Sequence, residues 1–129
     1  MTQLRRRVIP IVVVTALAAG CAGPRYTAPG EMRGGLMTDW YSHSTLYTFD
    51  RDATNPPSSA CLSQYCVWQW PPFISTTGPS TAGEFTTFTR PDGYSQWAYK
   101  GKPLYFYIKD TKTGDRAGDN VGGVWHVVK

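Results

Sequence analysis

Leu104-Tyr105-Phe106-Tyr107-Ile108-Lys109-Asp110 reads Leu, Tyr, any residue, aromatic, any residue, cation, Asp, and the same order stands earlier in the chain as Leu46-Tyr47-Thr48-Phe49-Asp50-Arg51-Asp52. The two copies are 58 residues apart, Tyr47 to Tyr105. In an extended strand successive side chains take opposite faces. Tyr47, Phe49 and Arg51 therefore share one face, as do Tyr105, Tyr107 and Lys109, and Leu104, Phe106 and Ile108 take the other. Each copy ends on an aspartate, Asp52 or Asp110, where the strand should stop.

The same alternation predicts a first hairpin from Met37 to Tyr41 and Thr45 to Phe49 around Ser42-His43-Ser44. Pro56-Pro57 breaks the next stretch into a loop. Cys61 to Trp68 lacks turn residues and predicts one or two helical turns, stopped before Pro71-Pro72. Strands follow at Glu84 to Thr89 and Tyr94 to Tyr99, joined by the turn Arg90-Pro91-Asp92-Gly93, then the second motif strand Pro103 to Lys109. Four glycines from Gly114 to Gly123 lead to a last strand, Val124 to Val128. The sum is an all-β domain: a small antiparallel meander of about six strands. It is built from two duplicated halves, 36–74 and 84–129, with one short helical turn near the cysteine pair.

The N-terminus has a different pattern. Arg5, Arg6 and Arg7 precede an apolar run from Val8 to Ala19, then small residues and Cys21. That order is a secretory signal peptide over residues 1–20, too short to span a bilayer. Ala18-Ala19-Gly20-Cys21 resembles a lipobox, which makes Cys21 the expected lipidated first residue of the mature chain. Residues 21–35, rich in Gly, Pro and Ala, read as a flexible lipidated tether. Ala22 is not the aspartate associated with inner-membrane retention, so the expected location is the bacterial cell envelope, on the outer membrane facing the periplasm.

Removing the signal changes the charge. The whole chain carries 13 basic and 9 acidic residues, and losing three arginines leaves 10 against 9. A chain so near neutrality makes no case for nucleic acid. All 18 aromatic residues follow the signal. A domain of this size buries only about two-thirds of its unfolded surface, so rings must form much of the core, drawn from most of Trp40, Phe49, Trp68, Trp70, Phe73, Trp97, Phe106 and Trp125. With Cys21 lipidated, Cys61 and Cys66 remain as a pair, and an exported chain favours a disulfide over a metal or redox couple.

The two motifs and their surroundings resemble a known family, the bacterial lipoproteins with a Tyr-x-(Phe/Trp/Tyr)-x-x-Asp motif, also called the secreted repeat of unknown function. The resemblance runs from Leu36 to Lys129 and includes Cys61…Cys66, Trp70-Pro71-Pro72, Arg90-Pro91-Asp92-Gly93, Gln96 to Tyr105 and Gly123-Val124-Trp125-His126. The stretch Thr38 to His43 is more aromatic than the family's usual hairpin there. The family implies an architecture and brings no activity with it.

Candidate chemistry is sparse. Asp52 and Asp110 are expected to fold back on local backbone N–H groups as Asx turns. Asp50 to Asn55 resembles the start of a calcium loop, but Cys61 stands where its bidentate glutamate belongs. Met37, His43 and His126 are weak metal candidates that nothing in the sequence brings together. No catalytic constellation is recognisable, no cofactor is implied, and the chain is not expected to be an enzyme. Tyr47, Phe49, Tyr105 and Tyr107 either pack together around a pseudo-two-fold axis or form an exposed platform for a flat ligand. The preferred reading is a non-catalytic envelope lipoprotein that binds an envelope protein or small ligand. The alternative is a periplasmic redox or metal- and haem-handling accessory.

Overall fold

The computed structural model describes residues 27–129; the expected signal peptide and Cys21 lie outside the described residues. The order is β1 (Gly30–Arg33), β2 (Leu36–Asp39), β3 (Tyr47–Phe49), β4 (Ala53–Thr54), β5 (Pro57–Ser58), α1 (Gln64–Gln69), β6 (Thr81–Ala82), β7 (Phe85–Thr89), β8 (Ser95–Tyr99), β9 (Lys102–Pro103), a 3-10 turn (Val121–Gly123) and β10 (Trp125–Val127). Every described strand pair is antiparallel. The all-β expectation and the helical turn beside the cysteines hold. Cys61 and Cys66 form a disulfide with their Cα atoms 5.5 Å apart, and the Ser63 hydroxyl caps α1 by accepting from the Cys66 N–H.

The first hairpin differs from expectation. β2 pairs mainly backward with β1, in register from Gly30↔Asp39 to Arg33↔Leu36, and joins the following segment through a single bridge, Thr38↔Thr45, with the Asp39 N–H donating to Ser44 O and the Leu46 N–H to Met37 O. The segment expected to be tether as far as residue 35 is thus strand from Gly30 onward. Its glycines conceal this: Gly34 and Gly35, both at positive φ, make the tight β1–β2 turn.

The second motif also departs from its predicted strand. Regular pairing ends at Pro103, and Tyr105 makes single antiparallel bridges to Tyr47 and Pro72. Tyr107, Ile108 and Lys109 already turn, with the Asp110 N–H donating to the Tyr107 carbonyl at 3.1 Å.

A duplication is written into the backbone hydrogen bonds. Leu46 N–H donates to Met37 O, and Leu104 N–H to Trp97 O; Val128 N–H donates to Leu46 O, and Phe73 N–H to Leu104 O. Tyr47 and Tyr105 exchange both bonds, at 2.9 and 3.0 Å, as residues on either side of a two-fold axis do. The last strand is crossed over. β10, from the second copy, pairs with β3 of the first, while Pro71–Phe73 of the first lies against Leu104–Phe106 of the second. Each half is completed by the other, which accounts for one domain rather than two.

Two apolar clusters form the core, one around Leu36, Tyr47, Trp70, Tyr105 and Trp125, the other around Met37, Leu46, Phe85, Trp97 and Leu104. Two of the eight candidate core rings lie outside it. Trp40 is 53% exposed, and Trp68, on α1, is 62% exposed. Six residues of helix have one face against the protein, and that face belongs to Cys66 and Val67.

Candidate functional site

The residues that the motif singles out meet at the pseudo-two-fold axis. Phe49 stacks on Trp125 (4.1 Å between centroids), Trp125 on Trp70 (3.8 Å) and Trp70 on Tyr107 (4.2 Å), so four rings form one column. The column is itself symmetric: Phe49 matches Tyr107 and Trp125 matches Trp70. Tyr47 meets Trp70 edge-on at 5.4 Å, and Tyr105 meets Trp125 edge-on at 5.2 Å. The central pair, parallel to within 2°, is close to a face-to-face sandwich. Aromatic quadrupoles disfavour that geometry, so burial and backbone register hold it together. Gly118 is required beside it, because a Cβ there would lie 2.8 Å from the Trp70 ring.

The motif carboxylates do something other than local Asx turns. The Tyr47 hydroxyl donates to Asp110 at 2.5 Å, and the Tyr105 hydroxyl donates to Asp52 at 2.8 Å. Each copy's tyrosine therefore binds the other copy's aspartate. The second oxygen of each carboxylate accepts a more distant backbone N–H: Ala60 for Asp52 (2.7 Å) and Ala117 for Asp110 (2.9 Å). The Asx-turn expectation is corrected because the partner seven or eight residues on, and the tyrosine across the axis, satisfy these oxygens better than the adjacent turn. Tyr47 and Tyr105 have no exposure, and burial pushes both hydroxyls far above the usual tyrosine range. Both hydroxyls keep their protons, and the rings are packed together around the axis and not laid out as an exposed platform.

The two corners differ in what completes them. At Tyr47 the hydroxyl accepts the Gly118 N–H at 3.3 Å. At Tyr105 it meets Ser59 Oγ at 2.8 Å, and Ser59 accepts from Arg90 at 3.0 Å. The fully buried guanidinium of Arg90 also donates to Gln96 Oε1, the Cys61 carbonyl and both oxygens of Asp92. Its hydrogen bond holds the Asp92 carboxyl below the usual range. Pattern alone places Arg90 in a turn and no further; an arginine in a Pro-Asp-Gly turn looks solvated until the partner loop is placed beside it.

Deleting only the hydroxyls tests this centre. Tyr105→Phe is expected to cost about 1–3 kcal/mol, leaving Asp52 and Ser59 each short of a partner, and Tyr47→Phe a similar amount. Urea denaturation checks it. Two phenylalanine variants as stable as wild type would mean the exchanged bonds carry no stability.

Asp52 adds a pH dependence. Burial raises its pKa to about 6, against the opposing pull of the Ala60 N–H, the Tyr105 hydroxyl and Arg90. A folded-state pKa above the unfolded value means that the native state holds the extra proton. The stability that Asp52 contributes is then full below the unfolded value of about 4 and is lost as pH rises through 6. Discounted for the partial exposure of Asp52, the loss is of order 1–2 kcal/mol. Melting curves at successive pH values should show it in the wild type, and Asp52→Asn should flatten it. An equal pH slope in both proteins would assign the effect elsewhere.

The metal candidates are not brought into a site. Met37 is buried in the second cluster; His43 Nδ1 lies 3.4 Å from Glu31, and His126 Nε2 lies 2.8 Å from Asp50. Among the described residues no group of three or more His, Cys, Asp and Glu could hold a metal ion.

Unspent polar chemistry sits outside the centre. A cleft of about 300 Å³ beside the first motif is lined by Thr48, Asp50, Tyr99, Lys100, Lys102, His126 and Lys129. The symmetry-matched cleft of about 200 Å³ is lined by Ser44, Thr45, Pro71, Phe106, Ile108 and Asp110. Matching backbone bonds set Asp50 opposite Ile108, and matching register sets Thr48 and His126 opposite Phe106 and Pro71. The fold therefore needs no polar group at these positions, and one copy alone has them.

Comparison with known proteins agrees with the second half of this picture. Residues 86–129 match the family model Lipoprotein_15, described as a secreted repeat of unknown function. The matched span covers the second copy from β7 to the end of the chain. No curated protein and no solved structure matches the chain.

Proposed function

We propose that this chain is a lipid-anchored, non-catalytic binding module of the cell envelope, whose ligand site is the cleft between Asp50, His126 and Lys102. One observation carries the reading: the motif side chains are consumed inside the fold, while the cleft carries polar groups that its twin shows to be structurally dispensable. Lys102 makes no side-chain hydrogen bond or ion pair to a described residue, and His126 is held by Asp50 with its ring partly exposed. These groups suit a small polar ligand. The anchor is Cys21, and its support is the signal-like sequence before it together with the match to a secreted-repeat family. No described helix is long and apolar enough to cross a membrane.

His126→Phe and Lys102→Ala are expected to leave the melting temperature nearly unchanged, because exposed pairs contribute at most about 1 kcal/mol. Both should abolish the shifts that a panel of small polar metabolites produces in the NMR signals of the cleft backbone. A ligand whose binding survives both variants would move the site elsewhere. Binding lost only as the fold is lost would remove the cleft as a site.

A further inference from the structure

Besides Met32, the first hairpin exposes one adjacent aromatic pair. Trp40 is 53% and Tyr41 94% exposed, at the tip after β2. The tip is rigid. The buried Asp39 carboxylate accepts the N–H groups of Tyr41, Ser42 and Ser44 at 2.9–3.1 Å, and the Asp39 carbonyl accepts that of His43. Symmetry shows that the rings are not needed for folding. The register sets Asp39 opposite Tyr99, so the matching tip begins Lys100-Gly101, with no ring at all. Two rings held out on a braced loop are already ordered for contact with something outside the domain.

Their position says what that is. Trp40 N–H donates to the Pro29 carbonyl at 2.8 Å, and Ala28 packs against the second cluster. The chain therefore joins the domain beside the two rings. Ala28 is seven residues from Cys21, at most about 25 Å when fully extended. A domain of this size has a radius of gyration of about 13 Å, and a connection that short keeps the entry point near whatever holds Cys21. Tryptophan and tyrosine, apolar bodies with one polar group, partition to the headgroup level of a bilayer.

We propose that Trp40 and Tyr41 form a membrane-docking tip that inserts at the lipid interface and sets the domain's orientation on the bilayer; this rests on lipidation of Cys21. The lipid then supplies attachment and the tip supplies orientation, turning the opposite surfaces toward the periplasm.

The test uses the full-length mature protein, purified from its own envelope and reconstituted into phosphatidylethanolamine–phosphatidylglycerol vesicles containing lipids brominated near the headgroup. Palmitate incorporation is followed in parallel. The expected result is quenching of about one-fifth of the emission, one of the five tryptophans, and loss of that quenching in Trp40→Phe. Trp68→Phe, which removes the other well-exposed indole, should leave it intact. Palmitate incorporation without Trp40-dependent quenching would overturn the docking tip and leave the anchor standing. Failure of Cys21 to incorporate palmitate would overturn both. Quenching lost in Trp68→Phe and kept in Trp40→Phe would place α1, not the tip, on the membrane.

Discussion

Trp70→Ala should cost about 3–5 kcal/mol, a large part of what a domain of this size has to lose. Trp70 is 2% exposed and takes part in three ring contacts, with Trp125, Tyr107 and Tyr47. Truncation opens a hole in the middle of the column, where neighbours from both copies converge. Gly118 cannot move in to fill it, because its N–H is tied to the Tyr47 hydroxyl. Trp125→Ala should cost a comparable amount, since Trp125 occupies the symmetry-matched position. Trp40→Ala should stay within about 0.5 kcal/mol of wild type. Urea melts followed by circular dichroism give all three. A Trp70 variant no less stable than the Trp40 variant would show that the column does not hold the halves together.

Arg90→Ala is expected to be nearly as damaging, about 3–5 kcal/mol, for a different reason. The loss is of hydrogen bonds more than of volume. Ser59, Gln96 and the Cys61 carbonyl are buried around the guanidinium, and each unpaired group costs about 1–3 kcal/mol. Asp92, 41% exposed, can turn to water. Arg90→Lys should recover less than half of the loss, because a point ammonium cannot serve a fork of four partners at once. Arg90 also lowers the Asp52 pKa, so removing its charge should push that pKa higher still. The alanine variant should therefore fall further behind wild type at pH 8 than at pH 5. Full recovery by lysine would mean that charge alone is required there.

Much of the architecture is legible in the amino-acid sequence itself. The repeated Leu-Tyr-x-aromatic pattern announces a duplication. Local chemistry places the helical turn, the disulfide, the β7–β8 hairpin around Arg90-Pro91-Asp92-Gly93, and the last strand. These depend on neighbours along the chain, and alternation, turn residues and cysteine spacing report on those directly. The carboxylates Asp52 and Asp110 stand out as motif residues, but local turn chemistry points them at the wrong partners. Their true partners are 53 and 63 residues away, and nothing in either segment states that the last strand crosses to the other half.

Tertiary structure alone decides the rest. It places Trp40 and Trp68 outside a core in which composition would put them, since ring count says how much apolar surface exists and not which side of a short element faces inward. It moves the start of the domain back to Gly30, because a strand of Gly, Glu, Met and Arg has no period to read until β2 pairs with it. It turns Arg90 from a turn residue into a buried hub. And by superposing two copies of one pattern it separates what folding requires at a position from what only one copy carries: Asp50 and His126 against Ile108 and Pro71, Trp40 and Tyr41 against Lys100 and Gly101. A single chain position cannot show that difference, because the comparison exists only once backbone register has set the two copies side by side.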